Sequence, residues 1–80
     1  MATTKRRIGI VGFGHLGKFL TQAILNHSSL ELAFVWNRTQ AVFEETNLDP
    51  ALICKDLNDC QKFTPDLIVE VSHPLVVKKV

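Results

Sequence analysis

Eighty residues, 46% hydrophobic and 21% charged, with a formal net charge of +1, describe one small globular domain at most. A chain of this size buries only about 60% of its unfolded surface, so a single core is its limit. The near-neutral charge gives no attraction to nucleic acid or acidic membranes, no apolar run approaches the roughly 20 residues of a transmembrane helix, and the N-terminus lacks the apolar stretch of a secretory signal.

In chain order, the first strand is expected at about Arg6 to Val11, where Ile8-Gly9-Ile10-Val11 follows the basic entry Lys5-Arg6-Arg7. That basic entry and Lys78-Lys79 both read as solvated surface. Gly12-Phe13-Gly14-His15-Leu16-Gly17 comes next. A bare G-x-G-x-x-G string is common, but an apolar strand before it and an amphipathic helix after it make it a dinucleotide fingerprint. Gly12 permits the tight strand-to-helix turn, Gly14 lets backbone approach a pyrophosphate, and Gly17 lets the helix pack close to the sheet. The unpartnered N–H groups near His15 and Leu16, at the positive end of the helix dipole, are expected to point at the phosphates. Leu16, Phe19, Leu20, Ala23 and Ile24 have the spacing of a buried helix face, and the helix is expected to end near Asn26 to Ser29.

Leu32 to Trp36 is the second expected strand, a continuous apolar run of the kind covered on both faces in a parallel sheet. Thr39 is expected to cap a short helix over Gln40 to Thr46, and Asn47-Leu48-Asp49-Pro50 to turn into a short third strand at Ala51 to Cys54. Asp56 or Asn58 caps a further helix of one or two turns. Leu67 to Val71 is the fourth strand, with Glu70 as a satisfied structural carboxylate, and Pro74 opens a final helix running to the last residue. The order β-α-β-α-β-α-β-α predicts α/β architecture, the N-terminal part of a Rossmann-type parallel sheet. Residues 1–80 read as one partial dinucleotide-binding domain, truncated because the chain stops inside the expected last helix, with the unpaired edge favouring aggregation or a homo-oligomer. Cys54 and Cys60 form no metal-ligand spacing and read as free thiols of a reducing compartment, which implies cytoplasmic residence.

The cofactor is expected to be NADP or NAD. At the end of the second strand, where NAD-binding units carry an acidic residue, stand Asn37, Arg38 and Thr39, whose amide, guanidinium and hydroxyl can donate to a 2′-phosphate. Ser72-His73-Pro74 follows the fourth strand and is expected to border the nicotinamide side. His73 has no carboxylate placed to orient it, so neither it nor any other residue is assigned a catalytic role, and no metal site is expected. The expected cofactor-binding set is thus Gly12, Phe13, Gly14, His15, Leu16, Gly17, Asn37, Arg38, Thr39, Ser72 and His73.

Ile10 to Gly17, Phe34-Val35-Trp36-Asn37-Arg38 and Pro65-Asp66-Leu67-Ile68-Val69-Glu70-Val71-Ser72-His73-Pro74 together resemble the N-terminal part of the aspartate dehydrogenase domain-containing proteins. The resemblance implies NAD(P)-dependent oxidative deamination of L-aspartate to iminoaspartate, with Gly12, Gly14, Gly17, Asn37 and Arg38 on the dinucleotide and Ser72 and His73 near it. It also implies a second domain that supplies the substrate pocket, so that a small-molecule substrate binds only in a longer form and these residues alone are inactive. The alternative is a non-enzymatic NAD(P)-sensing or interaction module.

Overall fold

The computed structural model describes residues 5–71 and the backbone of 76–79. Strand β1 (Arg6–Val11) leads through the glycine-rich turn into helix α1 (His15–Leu25), which returns to strand β2 (Leu30–Trp36). Three 3-10 segments follow, at Gln40–Phe43, Pro50–Leu52 and Leu57–Phe63, before strands β3 (Leu67–Glu70) and β4 (Val76–Lys79). The sheet has the order β2-β1-β3-β4. Pairings β1 to β2 and β1 to β3 are parallel, and β3 to β4 is antiparallel. The chain is therefore α/β, built on three parallel strands.

Because β2 and β3 flank β1 on opposite sides, right-handed connections must pass over opposite faces of the sheet. The packing follows this rule. Ile8 and Ile10 of β1 pack with Ile24 of α1 and with Phe43 on one face, while Val11 packs on the other with Ile68 and Cys54, against which Cys60 and Phe63 of the last 3-10 segment lie. Between Ile8 and Gly9 the β1–β2 register slips, so that Ile8 faces Leu32 and Gly9 faces Phe34. The bulge turns both Ala33 and Phe34 toward the second face, and the Phe34 ring lies where a Cβ on Gly9 would be, with Cδ2 at 2.8 Å.

Four expectations need correction. The buried face of α1 is Gly17, Thr21 and Ile24, whereas Leu16 and Phe19 are 46% and 68% exposed and Ala23 is also exposed. Gly17 sets this phase, since it must sit against the Gly12 carbonyl, and 100° per residue then carries Leu16, Phe19 and Ala23 around to solvent. The helix expected over Gln40 to Thr46 is one 3-10 turn at Gln40–Phe43, because so short a segment, with β-branched Val42 and Thr46, cannot propagate an α-helix. The third strand shrinks to a single parallel bridge, Val35 to Ile53, reinforced by Cys54 N–H donating to the Val35 carbonyl at 2.8 Å. Asp49 accepts from Ala51 N–H at 2.9 Å and Pro50 takes the first turn position, so Ala51 and Leu52 are drawn into a turn. Finally, residues 76–79 form a strand instead of a helix, paired from Glu70 opposite Val76 to Leu67 opposite Lys79. A connection as short as residues 71–75 can return a strand only antiparallel, since a parallel return needs a crossover of about a dozen residues or more.

Three expectations stand. The first strand has the expected bounds, α1 ends at an Asn26 cap, and Asp56 caps the Leu57–Phe63 segment by accepting from Asn58 N–H at 2.9 Å.

Candidate functional site

The glycine-rich turn lies at the carboxyl end of β1, between β2 on one side and β3 on the other, where successive connections leave for opposite faces. In open α/β sheets the crevice outside this point is where ligands bind. The glycines there answer to different demands. Gly12 has a φ of 111°, a backbone conformation that side chains rarely adopt, and its N–H donates to the Trp36 carbonyl at 2.7 Å. A Cβ on Gly17 would collide with the Gly12 carbonyl, lying 2.9 Å from its carbon and 3.4 Å from Val71 Cγ2, so this glycine lets α1 close on the turn and on the exit of β3. Gly14 has an ordinary extended conformation (φ −79°, ψ −158°), and a Cβ there would meet nothing within 4 Å. Nothing inside the described chain requires Gly14 to be a glycine.

The first intrahelical bond joins Lys18 N–H to the Gly14 carbonyl at 2.9 Å. His15, Leu16 and Gly17 N–H groups precede it, at the positive end of the α1 dipole, an arrangement that favours an anion. Gly14, His15 and Leu16 are exposed at this end, so solvent-borne groups can reach them. Phe13 is different. Its side chain is 4% exposed and packs on Phe43 with ring centroids 5.0 Å apart, while Lys18 Nζ lies 5.8 Å from the Phe13 ring centre.

Asn37 is brought directly to the turn. Its Oδ1 accepts from Phe13 N–H at 2.9 Å, its Nδ2 donates to the Thr39 carbonyl at 3.0 Å, and its own carbonyl accepts from Gln40 Nε2 at 2.7 Å. Only one orientation of the carboxamide satisfies both side-chain bonds. Arg38 and Thr39 follow on an exposed bend beside the turn. Ser72 and His73 lie outside the described residues. The exit of β3 does reach the site, through Val71 N–H donating to the Val11 carbonyl at 2.9 Å.

Sequence reasoning passed over Gln40, whose amide fixes the Asn37 carbonyl, and Thr21. Thr21 is 1% exposed, its hydroxyl has no hydrogen-bond partner among the described residues, and it lines a recess of about 240 Å³ behind the turn together with Phe13, Lys18 and Glu45. Its signal was its position one helical turn after Gly17, on the side that the motif forces inward.

No family model matches the chain. It is 49% identical over 79 residues to the aspartate dehydrogenase domain-containing protein of Xenopus tropicalis, an alignment covering 94% of this chain and 27% of that protein. With the protein of the same name from Danio rerio it shares 45% identity over 82 residues, covering 99% of this chain and 29% of the relative. The chain thus spans less than a third of the length of these curated relatives. At this level of identity along nearly its whole length, the chain is similar to a fragment of proteins named aspartate dehydrogenase domain-containing protein.

Proposed function

We propose that residues 1–80 are a Rossmann-type NAD(P)-binding domain in part, the cofactor-holding portion of an NAD(P)-dependent oxidoreductase. The observation that carries the reading is Gly14. Gly12 is explained by its φ and Gly17 by the Gly12 carbonyl, but Gly14 has room for a side chain and no conformational need to lack one. Close approach of an external group to the backbone accounts for it, and a pyrophosphate at a helix N-terminus is the group this setting suits. His15 and Leu16 N–H groups would hold the phosphates. Arg38 and Thr39 would face the adenosine ribose, where a guanidinium and a hydroxyl favour NADP and accept NAD. Ser72 and His73 are proposed to border the nicotinamide.

The family name supports a dehydrogenase acting on aspartate. When bound, the nicotinamide would accept a hydride from the substrate's Cα as the amine becomes an imine, giving iminoaspartate and releasing a proton. Holding donor carbon and acceptor near contact demands a substrate pocket, which we assign to the remainder of the longer family proteins, so residues 1–80 alone are proposed to bind cofactor without turnover. Cytoplasmic residence is part of this reading and rests on the free thiols Cys54 and Cys60.

The test separates binding from folding. Gly14→Ala should move stability by no more than about 0.5 kcal/mol, because a poorer N-cap is offset by lower unfolded-state entropy, yet weaken both NADP and NAD at least about tenfold. Gly17→Ala should instead destabilise the fold by about 1–3 kcal/mol through overpacking against Gly12. Urea unfolding and fluorescence titration of Trp36, the single tryptophan, measure both effects. Unchanged dinucleotide affinity in Gly14→Ala would remove the observation on which the proposal stands.

A further inference from the structure

Asn37 stands where a cofactor-reading side chain is expected, but its polar atoms point elsewhere. The carboxamide spans two backbone groups of opposite character, a donor at Phe13 N–H (2.9 Å) and an acceptor at the Thr39 carbonyl (3.0 Å). Gly12 N–H, donating to the Trp36 carbonyl at 2.7 Å, and Gln40 Nε2, donating to the Asn37 carbonyl at 2.7 Å, extend the link on either side. The glycine turn and the bend carrying Arg38 are therefore one hydrogen-bonded unit, with Asn37 as its centre.

We infer that Asn37 is a positioning residue that locks the β2 exit onto the glycine turn, so that a carboxylate at this position weakens NADP and NAD alike instead of creating an NAD site. The inference rests on the dinucleotide reading proposed above. A carboxylate only accepts hydrogen bonds, so it can keep the Phe13 bond but would set an oxygen without a proton against the Thr39 carbonyl. The bend carrying Arg38 would then be released. The new negative charge, held on Phe13 N–H, would also lie next to the N–H groups of residues 14–17 and compete there with the pyrophosphate. That part is common to both dinucleotides, whereas the ordinary benefit of an acidic residue at the end of the second strand requires its oxygens to face the ribose. Arg38, exposed and one residue further on, is left as the group that distinguishes a 2′-phosphate.

The experiment titrates NADP and NAD against the full 80-residue chain and its Asn37→Asp, Asn37→Ala and Arg38→Ala variants, well below their melting temperatures, with amide exchange followed in the unliganded chains. Both Asn37 variants are expected to lose about tenfold in affinity for each dinucleotide, keeping the NADP to NAD ratio within about twofold, as for the loss of one or two hydrogen bonds. Arg38→Ala should lower NADP affinity alone. In Asn37→Ala the Phe13 amide should exchange faster while Ile10, in the middle of β1, keeps its rate, a local signature that general destabilisation would not give. Tighter NAD binding by Asn37→Asp, or unchanged Phe13 exchange in Asn37→Ala, would overturn the positioning role. Binding of neither dinucleotide by the unaltered chain would overturn the underlying cofactor reading, while the Phe13 exchange result still decides the structural link. If Asn37→Asp does not fold, Asn37→Ala and Arg38→Ala carry the same comparison.

Discussion

The Cys54 thiol, 1% exposed, donates to the Asp56 carbonyl at 3.0 Å, and burial above all pushes its pKa up from the ordinary value, a backbone hydrogen bond at Asp56 acting against the rise and the nearby Cys60 and Asp59 adding to it. The neutral form is thus favoured in the folded chain. Below the ordinary thiol range both states carry the proton and pH has no leverage. Above about pH 8.5 the unfolded chain releases its proton while the folded chain holds it, so this contribution to stability declines as pH rises toward the folded pKa. Urea unfolding of the chain and of Cys54→Ala should show a stability gap that narrows between neutral and alkaline pH, and a constant gap would contradict the burial argument. Single residues also mark the limits of the sequence. That Cys54 is a free thiol was legible from the spacing of the two cysteines, and the duties of Gly12 and Gly17 from the motif. The bonds of Asn37 were not, because they join backbone groups at Phe13 and Thr39 whose meeting depends on how β1 and β2 align.

At the scale of elements, Arg7 shows how a basic residue read as solvated becomes a clamp. Its guanidinium donates to the Phe63 carbonyl at 2.7 Å and, through Nε, to the Thr64 carbonyl at 3.1 Å, while it also pairs with Glu31. Its backbone N–H donates to Asp66 at 2.8 Å. These bonds close the carboxyl end of the Leu57–Phe63 segment, which stops at Thr64 in a left-handed conformation (φ 52°), and fix it beside the start of β1. Arg7→Met should cost about 2 kcal/mol, the range for hydrogen bonds from a charged group. Glu31→Gln should cost less than about 1 kcal/mol, because the Glu31 side chain is 49% exposed and water screens the pair. Chemical denaturation of both variants checks the order, and an equal loss would move the clamp's weight from the carbonyls to the ion pair. Elements with a single strong determinant were legible: β1 from its apolar run, α1 from the glycines, the Leu57–Phe63 turn from Asp56. Gln40–Phe43, Pro50–Leu52 and β4 were less so, since local pattern admits helix, turn and strand there and neighbouring segments choose among them.

For the whole molecule, the consequence of the α1 phase is an apolar surface. Leu16 and Phe19, together with Ala23, lie on the side of the helix away from the sheet, where Phe19 alone is 68% exposed. Contiguous exposed apolar surface promotes association in water, so the 80-residue chain is predicted to self-associate. Phe19→Gln should reduce the apparent mass in light scattering at a given concentration while changing stability by no more than about 0.5 kcal/mol. A chain that is already monodisperse as a monomer would contradict the prediction. Sequence by itself determined the α/β class, the place of the glycine turn between the first strand and first helix, and the likeness to the aspartate dehydrogenase domain-containing proteins, because these depend on periodicity, on glycine's missing Cβ and on residue identity along the chain. Tertiary structure alone decided which side of α1 is buried, that the third strand is one bridge, that residues 76–79 pair antiparallel, and that Asn37 faces the turn. The bridge and the Asn37 bonds are settled by contacts between segments well apart in sequence, the α1 phase by the packing of Gly17 on Gly12 and the 76–79 pairing by a short return; in each, several local conformations are nearly equal in free energy and the packing partner selects one.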